Sequence, residues 1–169
     1  MSRVYIGLGS NRGDRLKNLQ NSLSHIKREI EVRRVSSLYL TEPVGMKGKW
    51  FLNCVLEGET ELGPDELMKT LLTIEKEMGR LRKKKKEERI IDLDLLLYQG
   101  RVLKEKGLIL PHPRLHKRGF VLVPLVEINP HLYHPVLKRT VKEILNGLKD
   151  SHRIEKLSTE WTLTVPRTY

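Results

Sequence analysis

Asp92 and Asp94 stand two residues apart in an apolar run, Ile90-Ile91-Asp92-Leu93-Asp94-Leu95-Leu96-Leu97-Tyr98. Side chains alternate faces along a strand, so Ile91, Leu93, Leu95 and Leu97 are expected to point one way and Asp92, Asp94 and Tyr98 the other, with the aspartate Cα atoms about 7 Å apart. Two carboxylates held side by side repel each other and cost desolvation unless a cation faces them. Mg²⁺ answers that need, because it is usually held by one or two carboxylates together with substrate phosphates and water. A plainer reading is a solvent-facing strand with two polar residues, as antiparallel sheets often have. The nearby Arg80, Arg82 and Arg89 favour the metal. Guanidinium groups bind phosphate oxygens bidentately, and carboxylate-held magnesium beside arginines is what phosphoryl transfer uses, since positioning and charge neutralisation do its work. No Gly-x-x-x-x-Gly-Lys-Ser/Thr run is present, so a P-loop is excluded, and Gly7, Gly9 and Gly13 lack the spacing of a dinucleotide fingerprint.

The charge of the chain agrees with a phosphate ligand. Its 169 residues carry a formal net charge of +11, and residues 80–89 alone hold seven Lys or Arg against two Glu. A lysine run such as Lys83 to Lys86 is most simply a solvated loop. With 38% hydrophobic and 31% charged residues the chain reads as a globular domain able to bury a core. No apolar run approaches the roughly 20 residues that span a bilayer, and the N-terminus lacks the organisation of a signal peptide. A cytoplasmic protein is expected. Cys54 is the single cysteine, which excludes disulfide staples and a multi-cysteine metal site. His112 and His116 stand four apart, but no third ligand motif accompanies them, so zinc is discounted.

The elements that must carry these residues follow from periodicity. Val4 to Gly9 reads as a strand, Ser10 to Asp14 as a turn ending in an N-cap, and Leu16, Leu19, Leu23, Ile26 and Ile30 as the stripe of a helix. Val32 to Leu40 reads as a second strand, and Thr41 to Lys49 as a turn-forming stretch. A third strand has Phe51, Asn53 and Val55 on one face and Leu52, Cys54 and Leu56 on the other. Pro64 opens a second helix with the stripe Leu67, Leu71, Ile74 and Met78, ended by Gly79. Ile90 to Tyr98 is the fourth strand, with Gln99-Gly100 as a hairpin turn into Arg101-Val102-Leu103. The order β-α-β-β-α-β predicts an α+β, ferredoxin-like fold, an antiparallel sheet with both helices on one face. Residues 119–128 are apolar but interrupted by Pro124, so their periodicity is compatible with strand or helix. Thr140 and Glu143 form a capping box for a last helix. Residues 150–169, in which Trp161, Leu163 and Val165 alternate, suggest an added edge strand or hairpin. Residues 1–150 are expected to form one domain, with 151–169 a C-terminal extension packed on it or trailing from it.

Six blocks stand in order along the chain: Tyr5 to Asn11 with Gly13-Asp14, Ser36 to Gly45, Phe51-Leu52-Asn53, Glu75 with Gly79-Arg80-Leu81-Arg82, Arg89 to Asp94, and Pro111 to Arg114 with Arg118-Gly119-Phe120. In order and spacing they resemble the 6-hydroxymethyl-7,8-dihydropterin pyrophosphokinase family of folate biosynthesis. The resemblance spans about residues 3–130 and implies the same ferredoxin-like fold. It implies transfer of the pyrophosphoryl group of ATP to the hydroxymethyl oxygen of the dihydropterin, releasing AMP, with two Mg²⁺ held by Asp92 and Asp94. By the same carry-over Arg80 and Arg89 clamp the phosphates and count with the two aspartates as catalytic. Glu75, Arg82, His112 and Arg118 fall at further ATP contacts. Asn53 would bond the amino and oxo edge of the pterin, and Phe51 and Phe120 would sandwich its ring. Thr41, Pro43, Val44 and Asp92 would line the same pocket. Core packing is the plainer reading of the two phenylalanines, and a sheet-edge hydrogen bond that of Asn53. Where the family usually has Gly-Pro before the arginine that precedes Asp-x-Asp, this chain has Glu87-Glu88.

The partners so implied are ATP and the dihydropterin, with no nucleic acid, membrane or obligate protein partner. Two rivals share the sheet: a small metal-dependent nucleotidyltransferase, for which 169 residues leave little room for a template cleft, and an RRM-like nucleic-acid-binding module, in which Asp92 and Asp94 would repel phosphate.

Overall fold

A computed structural model describes residues 1–80 and 88–164. The central strand is β1 (Ser2–Ser10), followed by α1 (Arg15–Ile26), whose first turn is capped by the Asp14 side chain accepting from Lys17 N at 3.1 Å. The predicted second strand is divided into β2 (Glu31–Val35) and β3 (Leu38–Thr41). Both pair with β4 (Phe51–Thr60), and Ser36 marks the break, its N–H donating to Val55 O at 2.8 Å and its hydroxyl accepting from Val55 N at 2.9 Å. α2 (Pro64–Glu77) and β5 (Asp92–Tyr98) complete the β-α-β-β-α-β core.

β1 lies between β4 and β5, and every neighbouring pair of strands is antiparallel. Leu19, Leu23 and Ile26 of α1 and Leu67, Leu71 and Ile74 of α2 pack with Val4, Ile6, Leu8, Leu93 and Leu95 as one core. The ferredoxin-like arrangement is therefore present, with α1 and α2 on one face. The opposite face carries a second core, where Tyr5, Val55, Leu96 and Leu97 meet α3 (Gly119–Ile128) and α4 (Val141–Gly147). Residues 119–128 are thus a helix despite Pro124; contacts on several sides explain why no amphipathic period shows in the sequence. The Thr140–Glu143 capping box starts α4 as predicted.

Two expectations need correction. The register of β5 on β1 shifts between Tyr5↔Leu97 and Ile6↔Leu95, so Leu96 is an extra, bulged residue. Beyond it the alternation inverts: Leu97 joins the α3 core and Tyr98 the α1/α2 core, the reverse of strict period 2. The chain does turn at Gln99-Gly100, but Arg101 to Leu103 does not return along β5. The hairpin lies farther on, β6 (Leu103–Glu105) against β7 (Leu108–Leu110), and it sends Leu108 and Leu110 into the main core. A small hairpin of β8 (Tyr133–His134) and β9 (Arg139–Thr140) precedes α4.

The C-terminal segment forms β10 (Ile154–Ser158), which pairs with β3 and lies at the edge of the sheet. The added edge strand thus precedes the alternating residues that suggested it: Trp161 lies in a short 3₁₀ turn and is 4% exposed, its indole N–H donating to Ser36 O at 3.0 Å while its own carbonyl accepts from Gln20 Nε2 at 3.1 Å. Trp161→Ala should lose about 3–5 kcal/mol, the usual cost of truncating a buried aromatic. Urea denaturation measures this, and a loss below about 1 kcal/mol would put the segment outside the cooperative core.

Candidate active site

The site is built on the face of β1 that α3 leaves uncovered, and its floor is glycine. Gly9 pairs with Asn53 on β4 and with Asp92 on β5, while Gly7 pairs with Val55 and Asp94. Directly paired residues project to the same face, so the four flanking side chains rise around two positions that carry none. The space is required at Gly9: a Cβ there would lie 2.4 Å from Asn53 Oδ1 and 3.3 Å from Phe51 Cδ1. Phe120 and Val121, at the start of α3, close the groove from above.

The two aspartates sit in unlike surroundings. Asp92 is held at both oxygens, accepting from Arg80 Nη1 at 2.7 Å on Oδ1 and from Arg89 Nη1 at 3.1 Å on Oδ2. Among the described residues Asp94 has distant ionic partners, His112 Nε2 and Arg118 Nη1, each at 3.8 Å. Burial, reinforced by the charge of Asp92, pushes the Asp94 carboxyl up to about 7. Burial and the neighbouring Arg118 bring His112 down to about 4, so its ring is neutral at neutral pH and adds no charge to Asp94. Arg118 is pulled below its ordinary value by burial against the attraction of Asp94.

Each arginine is positioned from behind. Arg80 directly follows Gly79, its N–H donates to Glu75 O at 3.0 Å, and its guanidinium bonds the Glu75 carboxylate, which also accepts from Leu93 N at 3.1 Å. Burial works against the Arg80 charge, but Asp92 and Glu75 outweigh it and hold its pKa above the ordinary value. Arg89 is fixed through its backbone by Asn11: Asn11 N donates to Arg89 O at 3.0 Å, and Arg89 N donates to Asn11 Oδ1 at 2.6 Å. Glu88, one of the two residues standing where Gly-Pro was expected, accepts from Lys49 N at 3.4 Å and so ties this segment to the loop before β4.

Two cavities meet at the carboxylate pair. The larger, about 560 Å³, is lined by Thr41, Phe51, Asn53, Asp92 and Phe120 among others. Asn53 Nδ2 donates to Thr41 Oγ1 at 2.5 Å, and the Arg118 guanidinium lies 5.4 Å from the centre of the Phe120 ring. The smaller, about 210 Å³, opens beside Asp94 and His112 and is walled by Met68, Leu95, Ile109 and Pro113.

Of the residues singled out from sequence, Arg80, Arg89, Asp92, Asp94, His112 and Arg118 converge at this junction, and Thr41, Val44, Phe51, Asn53 and Phe120 line the larger cavity. Pro43 lies in the same loop but is not among the lining residues. Glu75 is 2% exposed and meets the site through Arg80. Arg82 and Lys83 to Lys86 lie outside the described residues. Sequence reasoning missed Asn11 as the anchor of Arg89 and the smaller cavity, one wall of which, Ile109, comes from a hairpin whose position was misjudged. It also set Gly7 and Gly9 aside as a failed nucleotide motif; paired with Asn53 mid-strand on the neighbour, they were the available signal for a close approach. Among the described residues no group of three or more His, Cys, Asp or Glu is arranged to hold a metal. A cation between Asp92 and Asp94 would therefore take most of its oxygens from elsewhere, as Mg²⁺ does on a phosphate substrate. No described helix is long and apolar enough to cross a membrane.

Comparison with known proteins gives consistent matches. A family model described as 7,8-dihydro-6-hydroxymethylpterin-pyrophosphokinase matches residues 5–130. A 2-amino-4-hydroxy-6-hydroxymethyldihydropteridine pyrophosphokinase of Aquifex aeolicus is 40% identical over 144 residues, 85% of this chain and 90% of that protein. Its namesake in Methylorubrum extorquens is 40% identical over 154 residues, 89% and 96% of the two chains. Among solved structures, wild-type HPPK-DHPS of Plasmodium falciparum has a TM-score of 0.72 at 15% identity, covering 86% of this chain and 44% of that one. That likeness carries the fold, and this chain spans less than half of the solved chain.

The raised Asp94 carboxyl makes a stability prediction. Its folded value, about 7, lies above the unfolded value near 4, so the native state binds this proton more tightly. The contribution of Asp94 to stability is full below about pH 4 and is lost as pH rises through about 7. Asp94→Asn should then stabilise the protein by roughly 1–3 kcal/mol at pH 8, allowing for partial solvent screening, and by almost nothing near pH 4. Thermal melts across this range test it, and a lower Tm for the variant at pH 8 contradicts it.

Proposed function

The chain belongs to the 7,8-dihydro-6-hydroxymethylpterin-pyrophosphokinase family, and on that premise we infer that it transfers the diphosphate of ATP to the hydroxymethyl oxygen of 6-hydroxymethyl-7,8-dihydropterin in folate biosynthesis. The observation that carries this reading to individual residues is the carboxylate pair at the meeting point of two cavities of different character. Asp92 lines the larger one, which has two phenylalanines and a buried amide; Asp94 lines the smaller, apolar one.

The larger cavity suits the pterin. Phe51 and Phe120 offer flat apolar surface to the ring. The Asn53 amide presents a donor and an acceptor to its amino and oxo edge, held in orientation by Thr41. The smaller cavity suits the adenine base, with Met68, Leu95 and Ile109 as its apolar walls. A triphosphate running between the two bases then crosses Asp92 and Asp94. His112, neutral, offers a hydrogen bond to a phosphate oxygen without adding charge. Arg80 and Arg89 stand at the pterin side of the pair and Arg118 at Asp94, so guanidinium charge surrounds the transferred group. Glu75, 2% exposed, acts on the triphosphate by orienting Arg80. The residues fit Mg²⁺, for Asp94 is a half-buried carboxylate with no cation closer than 3.8 Å among the described residues. Two ions bound by Asp92 and Asp94 would neutralise phosphate charge and lower the repulsion met by the attacking oxygen.

With both substrates bound, the hydroxymethyl oxygen attacks the β-phosphorus as the bond from that phosphorus to the α,β-bridging oxygen breaks. AMP leaves with the bridging oxygen, and the hydroxyl proton is released. The protein's contribution is to hold the oxygen, phosphorus and leaving oxygen in line and to exclude water beneath Phe120.

Supplying ATP, Mg²⁺ and the dihydropterin should yield AMP and a pterin diphosphate, resolved by chromatography; ADP, or no turnover, contradicts the reading. Asp92→Ala and Asp94→Ala should each lower kcat by about 10²–10³-fold while circular dichroism stays unchanged. Phe120→Ala should weaken dihydropterin binding by about tenfold, and ATP binding by less than about twofold, because the lost contact is with the ring. Equal losses for both substrates would return Phe120 to a packing role.

A further inference from the structure

Arg118 directly precedes α3 with extended backbone, φ −117° and ψ 107°, the position from which Ser, Thr, Asp or Asn ordinarily caps a helix. Its side chain makes no capping bond. It reaches instead toward Asp94, at 3.8 Å, and over the Phe120 ring. The open amide of Gly119 is satisfied by a residue 31 positions downstream: Gly119 N donates to Asp150 Oδ2 at 3.1 Å. The other oxygen of that carboxylate accepts from His152 N at 3.0 Å and lies 2.5 Å from His152 Nδ1.

The residues that follow reach the opposite wall of the larger cavity. Glu42 N donates to Arg153 O at 3.0 Å, Arg153 N donates to Glu42 Oε2 at 3.0 Å, and Ile154 pairs with Thr41. Gly119 lets this segment come close. A Cβ there would lie 3.0 Å from Ile154 Cδ1 and 3.1 Å from Asp150 Oδ2, so a side chain would force the ends of Ile154 and of the capping carboxylate to give by a few tenths of an ångström. Residues 150–154 therefore touch both sides of the cavity, the Arg118–Phe120 turn on one and Thr41-Glu42 on the other.

We propose that Asp150 is a positioning residue for the pterin: its carboxylate caps α3 in place of Arg118 and, through residues 152–154, sets the separation between Phe120 and the wall formed by Thr41 and Asn53. The proposal rests on the pterin-binding reading of the cavity given above. Its logic is a division of labour. The residue at the capping position is an arginine committed to the carboxylate pair, a cation at a helix N-terminus is unfavourable, and a carboxylate supplied from elsewhere repairs both the hydrogen bond and the charge.

The test uses the full chain with Asp150→Ala, Asp150→Asn and Gly119→Ala. Asp150→Ala should raise KM for the dihydropterin about tenfold while KM for ATP moves by less than about twofold, the fold-change expected from losing one charge-assisted hydrogen bond at the ring's wall. Asp150→Asn keeps an oxygen that accepts from Gly119 N–H and should recover to within about threefold of the parent, and Gly119→Ala should follow Asp150→Ala. Unchanged dihydropterin KM in Asp150→Ala, equal losses for both substrates, or no recovery in Asp150→Asn would each overturn the proposal. Hydrogen exchange without substrate gives an independent readout. Amides of residues 119–121 should exchange faster in Asp150→Ala than in Asp150→Asn, and equal rates overturn the capping role. A parent protein that does not bind the dihydropterin would instead sink the functional reading, leaving the exchange result to decide whether Asp150 caps α3.

Discussion

Repulsion between two carboxylates on one face of one strand organises the site. Asp92 and Asp94 are brought together by covalent spacing alone, and the surrounding structure has to make that pairing tolerable. It does so unevenly. Among the described residues Asp92 receives two guanidinium groups at hydrogen-bonding distance, whereas Asp94 faces a neutral imidazole and a guanidinium, each at 3.8 Å. The imbalance leaves a partly neutralised negative centre on the Asp94 side, where a divalent cation with phosphate ligands would gain most. Stability is given up locally for binding, as is common at functional sites.

The rest of the architecture can be understood as support for that centre. The central strand offers glycine at the two positions between the aspartates and β4, so Asn53 and the carboxylates can share one groove. Each cation is oriented by a group farther from the substrate: Arg80 by Glu75, which also holds the backbone of Leu93, and Arg89 by Asn11. Glu75 thereby couples the last turn of α2 to the strand that carries both aspartates. On the other side α3 presents Arg118 and Phe120 from its first turn, and the C-terminal segment secures that turn to the end of β3. The edge strand β10 belongs to the same sheet as the candidate site, and Trp161 packs in the α1/α2 core on the sheet's other face, so the segment that follows α4 is coupled to the site through the sheet itself.

Much of the site was legible because its residues are local in sequence. Asp92 and Asp94 need only the period of a strand, and Phe51 and Asn53 share a face for the same reason. The capping signals of Asp14 and of Thr140 with Glu143 also act within one turn of helix and could be read directly. Leu97 and Tyr98 show where this reading stops. The bulge at Leu96 inverts the face of every later residue in the strand, and nothing in a run of leucines marks which one is extra. The hairpin after β5 was misjudged for a related reason. Gln99-Gly100 is a real turn, but whether the chain comes back along the same strand depends on which surfaces compete for Leu108 and Leu110, and these go to the main core.

What the sequence determined by itself was therefore the β-α-β-β-α-β order of the core, its ferredoxin-like topology and the identity of the charged pair with its arginines, since these rest on period, spacing and residue type. Only the tertiary structure decided which partner each charge meets: Arg80 and Arg89 on Asp92, Arg118 near Asp94, Asn11 behind Arg89 and Asp150 beneath α3. The physical reason is that a side chain's face is set by its neighbours along the chain. Its partner is set by strand register and by the approach of segments tens of residues away. The pKa of Asp94 and the role of Gly9 belong to this second kind, because both depend on what lies across the sheet.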